Sequence, residues 1–196
     1  MSCADQRDGI ARALAEHGGI LLRVARASIL NGLRAGGPAA IDTKLYDDAL
    51  RGPAASFVTL HIDRALRGCT GSARARRALV EDVSENAFNS AFGDPRFPPL
   101  TVAEYGRVEI GISVLTEPEP LAAANEAALL AALAPGEDGL LLEADGARGL
   151  FLPQVWHTLP DPAGFLDALK DKAGLPRGPL RDGFRASRFR VVEIAE

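Results

Sequence analysis

The sequence contains few of the residues that build disulfide frameworks or metal sites. Its 196 residues include two cysteines, Cys3 and Cys69, and three histidines. Two cysteines are too few for a disulfide framework, and no HxxxH, CxxC or HxH spacing is present. The sequence therefore predicts neither a bound metal nor a cofactor.

Long apolar runs are also missing. No stretch approaches the roughly 20 apolar residues that a membrane-spanning helix needs, and the opening residues, MSCADQRDGI, lack the apolar region of a signal peptide. Apolar residues make up 47% of the chain and charged residues 24%, which is typical of a globular protein. We therefore expect a cytoplasmic protein that does not bind a membrane.

Positive charge is not in excess either. The 26 acidic residues outnumber the 22 lysines and arginines, and the formal net charge is -4. This balance argues against a general nucleic-acid binder, even though arginines cluster over residues 74–77 and near the C-terminus. Nucleic acid is therefore not expected as a partner.

Glycine loops that cradle phosphates are absent, because neither GxGxxG nor GxxxxGK[ST] occurs. Helices are predicted over Ile20–Leu33 and Leu79–Phe92, and Phe57–Ile62 forms a predicted hairpin with Ala65–Thr70 around Asp63-Arg64. Such runs of helix and hairpin favour an α+β fold with mostly antiparallel sheet packed against helices. Further predicted elements are a strand over Val108–Leu115, a helix over Leu121–Leu133, a hairpin of Gly139–Glu143 with Gly149–Leu152, a helix from Asp161 to Lys172, and a last strand over Phe184–Ile194.

The hexapeptide Leu66–Gly71, LRGCTG, combines chemical groups that are unusual at the end of a strand. It places a thiol, Cys69, two residues after the cation of Arg67, between Gly68 and Gly71, which allow close backbone approach. Cys69 is therefore a candidate nucleophile or redox thiol, with Arg67 lowering its pKa or holding an anionic ligand. The alternative is a small buried residue that permits tight packing.

Two histidines are candidate acid/base partners of Cys69. A two-residue turn at Asp63-Arg64 would pair Val58 with Cys69 and place His61 on the opposite face. A three-residue loop would instead pair Phe57 with Cys69 and bring His61 to the same face. The second candidate base is His157.

The loop Asp94–Pro99, DPRFPP, is stiff, because each proline fixes one backbone angle and restricts the residue before it. Arg96 in this loop is a candidate ligand for an anion near Cys69. Alternatively, an ion pair of Arg96 with Asp94 or Glu104 fixes the loop.

The hexapeptide resembles the LRGCIG signature of the AMMECR domain family, whose bacterial and archaeal members are called AmmeMemoRadiSam system protein A. Thr70 stands where that family usually has isoleucine. The resemblance runs from about Ile20 to Arg190. Four further stretches agree in order and spacing: Phe57–Leu60 (FVTL), Asn86–Thr101 (NAFNSAFGDPRFPPLT), Val108–Thr116 (VEIGISVLT), and Gly149–Trp156 (GLFLPQVW) followed by Lys172–Leu175 (KAGL).

The resemblance implies an α+β fold of two intimately packed subdomains within 20–190. A partly ordered N-terminal extension over 1–19 and the end of the last strand over 191–196 flank this domain. The resemblance also implies that genes of this family frequently occur in the same genomes as genes for a Memo-like protein and a radical SAM protein. The chain is then expected to be an accessory or substrate-handling component, with an enzyme that uses Cys69 and Arg67, or a pure interaction module, as the alternatives.

Overall fold

The computed structural model describes residues 3–176 and 178–196, so the first two residues of the expected extension lie outside the described residues. The fold is α+β with two antiparallel sheets, which confirms the predicted class. The helices are α1 (Cys3–Ala35), α2 (Asp48–Arg51), α3 (Leu79–Phe92), α4 (Val102–Tyr105), α5 (Glu126–Ala132) and α6 (Pro162–Ala173), with 3-10 turns at Thr43–Leu45 and Pro153–His157.

The first helix, α1, is longer than the sequence predicts. It begins at Cys3 rather than near Ile20, because the apolar stripe continues upstream to the buried Leu14. Gly18 and Gly19 lower the local helix propensity and hide this continuation in the sequence. Packing of the apolar stripe outweighs that cost of about 1 kcal/mol per glycine. In the described part of the chain no helix is long and apolar enough to span a bilayer.

The chain divides into two compact units. The first comprises Gln6–Leu115 and Val192–Glu196, and the second comprises Thr116–Val191 together with the described residues up to Asp5. The strands of the first sheet are β1 (Pro53–Ile62), β2 (Ala65–Gly71), β3 (Arg77–Ala78), β4 (Glu109–Leu115) and β9 (Val191–Ala195). Their order is β2-β1-β4-β9, with β3 also paired to β1.

The predicted hairpin of β1 and β2 is present, but its register differs from both registers considered from the sequence. Asp63 and Arg64 form the two-residue turn, and both have positive φ, as a turn of the I′ type requires. His61 then pairs with Leu66, and Leu60 pairs with Gly68, so one residue between them is left unpaired. That residue is Arg67, at a β-bulge.

Helix α3 covers one face of the first sheet. It packs against β1 and β2, and Val83 and Ala87 join the core beneath Val58 and Leu60. The helix has the predicted bounds, because Glu81 accepts a hydrogen bond from the backbone of the N-cap residue and Gly93 ends it. This packing fixes which residues of β2 face α3 and which face away from it.

The second sheet is built from β5 (Glu119–Leu121), β6 (Gly139–Ala144), β7 (Ala147–Phe151) and β8 (Arg185–Phe189). Its strand order is β5-β8-β6-β7, and it packs on α5 and α6. Trp156 stacks on Phe165 in its core with ring centroids 3.8 Å apart. The expected helix Leu121–Leu133 is wrong at its start, because Asn125 caps a helix that begins only at Glu126.

The predicted last strand, Phe184–Ile194, is in fact two strands that join different sheets. Strand β8 ends at Phe189 and β9 begins at Val191. Arg190 lies between them, and its N–H donates to Thr116 Oγ1 at 2.9 Å while its carbonyl accepts the Thr116 N–H at 2.9 Å. Apolar Phe189 and Val191 flank Arg190, and no proline or glycine interrupts residues 184–194, so the sequence pattern does not reveal the break.

Candidate functional site

Two residues of the LRGCTG segment are fixed by contact with α3. A Cβ on Gly68 would lie 2.0 Å from the carbonyl oxygen of Ser90, so only glycine fits there. Thr70 also faces α3, where its hydroxyl lies 3.0 Å from the Asn86 carbonyl oxygen and 3.0 Å from Ser90 Oγ. This contact gives a physical reason for a polar side chain where the related family usually has isoleucine.

Cys69 lies on the opposite face of the sheet. Cys69 pairs with Thr59, whose neighbours in β1 point into the core. The side chain of Cys69 is half-buried. Thr59 Oγ1 donates a hydrogen bond to Cys69 Sγ at 3.4 Å. On the same face Phe57 lies across Gly71, where a Cβ would be 2.2 Å from the ring. Gly71 therefore makes room for an aromatic ring on the face of the sheet that carries Cys69.

The bulge at Arg67 decides where His61 lies relative to the thiol. Thr59 and His61 are alternate residues of β1 and share one face, so Cys69 and His61 are on the same face. From the sequence, His61 and Cys69 were expected on the same face only if a three-residue loop joined the two strands. The structure reaches it with a two-residue turn, because the extra residue in β2 shifts the register by one.

Residues of the loop after α3 form hydrogen bonds with the backbone of Cys69 at the outer edge of β2. Asp94 is buried, and its Oδ2 accepts the Cys69 N–H at 2.9 Å. Arg96 donates from Nη2 to the Cys69 carbonyl oxygen at 3.3 Å and to Asp94 Oδ2 at 2.6 Å. We call Asp94 and Arg96 together the clip. The clip occupies both backbone groups with which Cys69 would otherwise pair to another strand.

Electrostatics favour the charged form of both clip residues. The hydrogen bond from Arg96, and secondarily the Cys69 N–H, holds the pKa of Asp94 well below its usual range despite burial. The hydrogen bond to Asp94 raises the pKa of Arg96, and the nearby Cys69 thiol adds a smaller contribution in the same direction. The guanidinium side chain remains 54% exposed. The clip therefore presents a permanent cation beside Cys69.

A second ion pair holds the far end of the loop. Arg67 donates from Nε to Glu104 Oε1 at 2.8 Å and from Nη2 to the Pro98 carbonyl oxygen at 2.9 Å. This pairing with Arg67, together with hydrogen bonds from Thr101, lowers the pKa of Glu104 to about 2. The sequence left Asp94 and Glu104 as alternative partners of Arg96; in the structure Arg96 pairs with Asp94, and Glu104 pairs with Arg67.

Phe97 lies next to both guanidinium groups. The Arg67 Cζ is 5.8 Å and the Arg96 Cζ is 5.5 Å from the centre of its ring. At these distances each cation is attracted to the face of the ring. Phe97 is half-buried, and its ring lies between these two arginines and the solvent-exposed part of the loop.

The remaining predicted site residue lies elsewhere. His157 is exposed at the end of the 3-10 turn Pro153–His157 in the second unit. Within residues 3–176 and 178–196, no group of three or more histidine, cysteine or acidic side chains is arranged to hold a metal ion. The roles assigned from the sequence to Cys69, His61 and His157 in catalysis stay predictions.

Sequence reasoning missed Thr59 as the hydrogen-bond donor to the thiol. Thr59 lies in the predicted strand Phe57–Ile62, where a hydroxyl in alternation with His61 is a signal for a polar row on one face. It also missed the backbone contact between Asp94 and Cys69, which joins residues 25 positions apart. No local pattern reveals such a contact.

Comparisons with known proteins show the family to which the chain belongs. A sequence model of the AMMECR1 family matches residues 22–194. A protein of Methanothermobacter thermautotrophicus is 38% identical over 82% of this chain and 84% of its own length. Protein MJ0810 of Methanocaldococcus jannaschii is 37% identical over 92% of this chain and 90% of its own length.

A solved structure is similar over nearly the whole chain. The crystal structure of the uncharacterized protein PH0010 from Pyrococcus horikoshii superimposes with a TM-score of 0.81 at 32% sequence identity. The match covers 92% of this chain and 92% of that one. The similarity therefore includes both units of the fold.

Proposed function

Because the chain belongs to the AMMECR1 family, we propose that it is an accessory, substrate-handling component that acts with a Memo-like protein and a radical SAM protein. We assign the contact to the thiol face, defined as Cys69, Arg96 and Phe97. The partner classes rest on the family, and the location rests on the geometry of the clip.

The proposed location of the contact rests on the buried carboxylate of Asp94, which accepts a hydrogen bond from the Cys69 N–H. Replacing both members of a buried ion pair by apolar residues often costs no stability, because desolvation offsets the attraction between the charges, although removing one member alone is destabilising. A loop that only connects two helices needs no such group. Clusters of ionisable groups with shifted pKa values are, moreover, more frequent at functional sites. The clip is therefore best explained as fixing the geometry around Cys69.

Of the two arginines, Arg96 is the one suited to a small anionic ligand. The Arg67 side chain is 10% exposed and already bonded to a carboxylate and a carbonyl, whereas the Arg96 side chain is 54% exposed. A guanidinium can bind a carboxylate or phosphate through the edge that its protein partner leaves open. In this proposal Arg96 contacts the ligand, and Arg67, Gly68 and Gly71 maintain the shape of the site.

Titration with purified partners tests the proposal. The full chain is titrated with the Memo-like protein and with the radical SAM protein of the same genome, and each affinity is measured by calorimetry. We expect binding to at least one partner, weakened in an Arg96→Gln variant. Arg107→Gln is the matched control, because Arg107 is 58% exposed and also paired, to Asp63.

Two results would contradict the proposal. One is a wild-type chain that binds neither partner at concentrations up to about 100 μM, a range that covers even weak complexes. The other is an equal effect of Arg96→Gln and Arg107→Gln, which would place the contact outside the thiol face. Full binding and cellular function in a Cys69→Ser variant would favour the pure interaction module, in which the thiol has no chemical role.

A second candidate function is supported by the hydrogen bond from Thr59 to Cys69. Thr59 Oγ1 donates to Cys69 Sγ at 3.4 Å, and a cysteine thiol on an accessible strand can act as a nucleophile. His61, on the same face, is the candidate base. An enzyme of this kind loses turnover in a Cys69→Ala variant, so undiminished turnover with any substrate found would exclude it.

A further inference from the structure

Strand β7 lies at one edge of the second sheet, so among the described residues it has a neighbouring strand, β6, on one side only. The two strands are joined by the turn Asp145-Gly146, in which both residues have positive φ. In such a hairpin the residues next to the turn, Ala144 and Ala147, exchange hydrogen bonds, and so does every second pair after them. The N–H and C=O groups of Arg148 and Leu150 therefore point away from β6. We call these four backbone groups the β7 edge.

Lys172, in the last turn of α6, occupies part of the β7 edge. Its Nζ donates a hydrogen bond to the Leu150 carbonyl oxygen at 2.8 Å and lies 5.0 Å from the centre of the Phe151 ring. Gly149 allows the close approach of the helix, because a Cβ there would lie 3.0 Å from the side chain of Leu169. The exposed ammonium group of Lys172 therefore takes the place of a donor that an added strand would bring to Leu150.

The opposite edge of this sheet has features that prevent strand addition without such a contact. Strand β5 has three residues, and its middle residue is Pro120, which has no N–H to donate. Short edge strands, prolines and lysines are all means by which proteins keep sheet edges from pairing. Strand β7 has five residues, no proline, and the half-buried apolar side chains of Leu150 and Phe151. Of these means, Lys172 is the one present at β7.

A second copy of the chain presents a strand that is complementary to the β7 edge. Two β7 strands related by a two-fold axis run antiparallel, and with the axis at Gly149 each Arg148 would face Leu150 of the other copy. Such a pair would make four backbone hydrogen bonds, two of them to the Leu150 carbonyl oxygens. A register centred on Arg148 would instead place like charges directly opposite each other, which is unfavourable. In the first register Lys172 already occupies the Leu150 carbonyl oxygen, and its charge would lie near Arg148 of the other copy.

We propose that Lys172 prevents the chain from pairing through β7 with a second copy of itself. The ammonium group does so by binding the Leu150 carbonyl oxygen and by placing a positive charge at the β7 edge. The contact also joins two of the stretches that resemble the family, Gly149–Trp156 and Lys172–Leu175. The inference does not depend on the proposed function, because β7 and α6 belong to the second unit and the thiol face belongs to the first.

Analytical ultracentrifugation of matched lysine variants tests the proposal. Self-association of the full chain is measured from about 1 to 500 μM for wild type, Lys172→Met and Lys44→Met. We expect Lys172→Met to self-associate at least about tenfold more tightly than wild type, which corresponds to one charge-assisted hydrogen bond that pairing no longer has to break. Lys44→Met is the matched control, because Lys44 is also exposed and the same charge is lost, but Lys44 lies outside the β7 edge. We expect Lys44→Met to change self-association by less than about twofold.

A second substitution and hydrogen exchange locate the association. Arg148→Pro removes an outward N–H that β6 does not use, and proline is tolerated at such an edge position. We expect the double variant Lys172→Met/Arg148→Pro to self-associate no more than wild type. Amide exchange of Arg148 and Leu150 in Lys172→Met should become slower as the concentration rises, whereas in wild type it should not change. The exchange measurement needs no second substitution, so it applies even if the double variant does not fold.

Three results would overturn the role of Lys172. The first is equal self-association of wild type, Lys172→Met and Lys44→Met, with urea unfolding showing that all three are folded. The second is self-association of Lys172→Met that leaves the exchange of the Arg148 and Leu150 amides unchanged, because another surface would then be responsible. The third is a Lys172→Arg variant that associates as strongly as Lys172→Met, since arginine keeps both the charge and the donor.

Discussion

Replacing Asp94 by asparagine removes one charge from the clip and keeps its size. Asp94 Oδ1 accepts two bonds from Arg96, at 3.1 and 2.9 Å, and Oδ2 accepts bonds from Arg96 and from Cys69. An asparagine that keeps the Cys69 bond turns its NH2 group towards the donors of Arg96. The loss of two charge-assisted bonds, reduced because Arg96 is half-exposed, corresponds to about 3 kcal/mol of the free energy of unfolding.

The lowered pKa of Asp94 determines how its contribution to the free energy of unfolding changes with pH. The pKa of Asp94 is lower in the folded chain than in the unfolded chain, so its stabilisation is complete above the ordinary carboxyl range of about 4 and is lost as pH falls through the folded value. Urea unfolding of wild type and Asp94→Asn should therefore differ most at neutral pH and converge on acidification. Asp63→Asn is the control, because Asp63 is 75% exposed in a turn where asparagine tolerates positive φ.

Two results would refute this reasoning about the clip. The first is an Asp94→Asn variant as stable as Asp63→Asn at neutral pH. The second is a loss that stays constant on acidification well below the ordinary carboxyl range, which would mean that the charge of Asp94 does not contribute.

Three further predictions concern the surroundings of the clip. Gly68→Ala should destabilise the chain by about 3 kcal/mol or more in urea unfolding, because its Cβ would overlap the Ser90 carbonyl oxygen. Gly111→Ala is the control and should cost nothing, because the atoms nearest to its Cβ are 3.9 Å away. Equal effects of the two substitutions would contradict the packing of Gly68 on α3. Glu104→Gln should reduce the acid dependence of stability between about pH 4.5 and pH 2, because the pKa of Glu104 is lowered to about 2 in the folded chain; an unchanged acid profile would exclude the pair with Arg67. Thr59→Val should slow alkylation of Cys69 at neutral pH relative to Thr59→Ser, because only serine retains the donor to sulfur; equal rates would show that the hydrogen bond has no effect.

Local signals predicted the elements that support the site. Helix α3 was predicted at its observed bounds, because its apolar periodicity is strong and Gly93 follows it. The hairpin turn was predicted from the short gap at Asp63-Arg64 between two strand-like runs. These signals lie within a few residues of the features that they specify.

The register at Cys69 could not be predicted in this way. The bulge leaves Arg67 unpaired in the strand, where its side chain is bonded to Glu104, 37 positions away. The alternation of β2 contains no sign of an extra residue, so both registers considered from the sequence were wrong. The same reason explains why the backbone contact of Asp94 was missed, since tertiary contacts outweigh local preference there.

Alkylation of Cys69 tests the central claim most directly. Iodoacetamide labelling is followed against pH in a Cys3→Ser background, in the native chain and in denaturant. The account predicts that the half-buried thiol labels in the native chain, and that Arg96→Gln, but not Arg107→Gln, changes the labelling rate at neutral pH. A thiol that labels only on unfolding would contradict it, because Cys69 would then be a packing residue and the thiol face would not be open to a ligand.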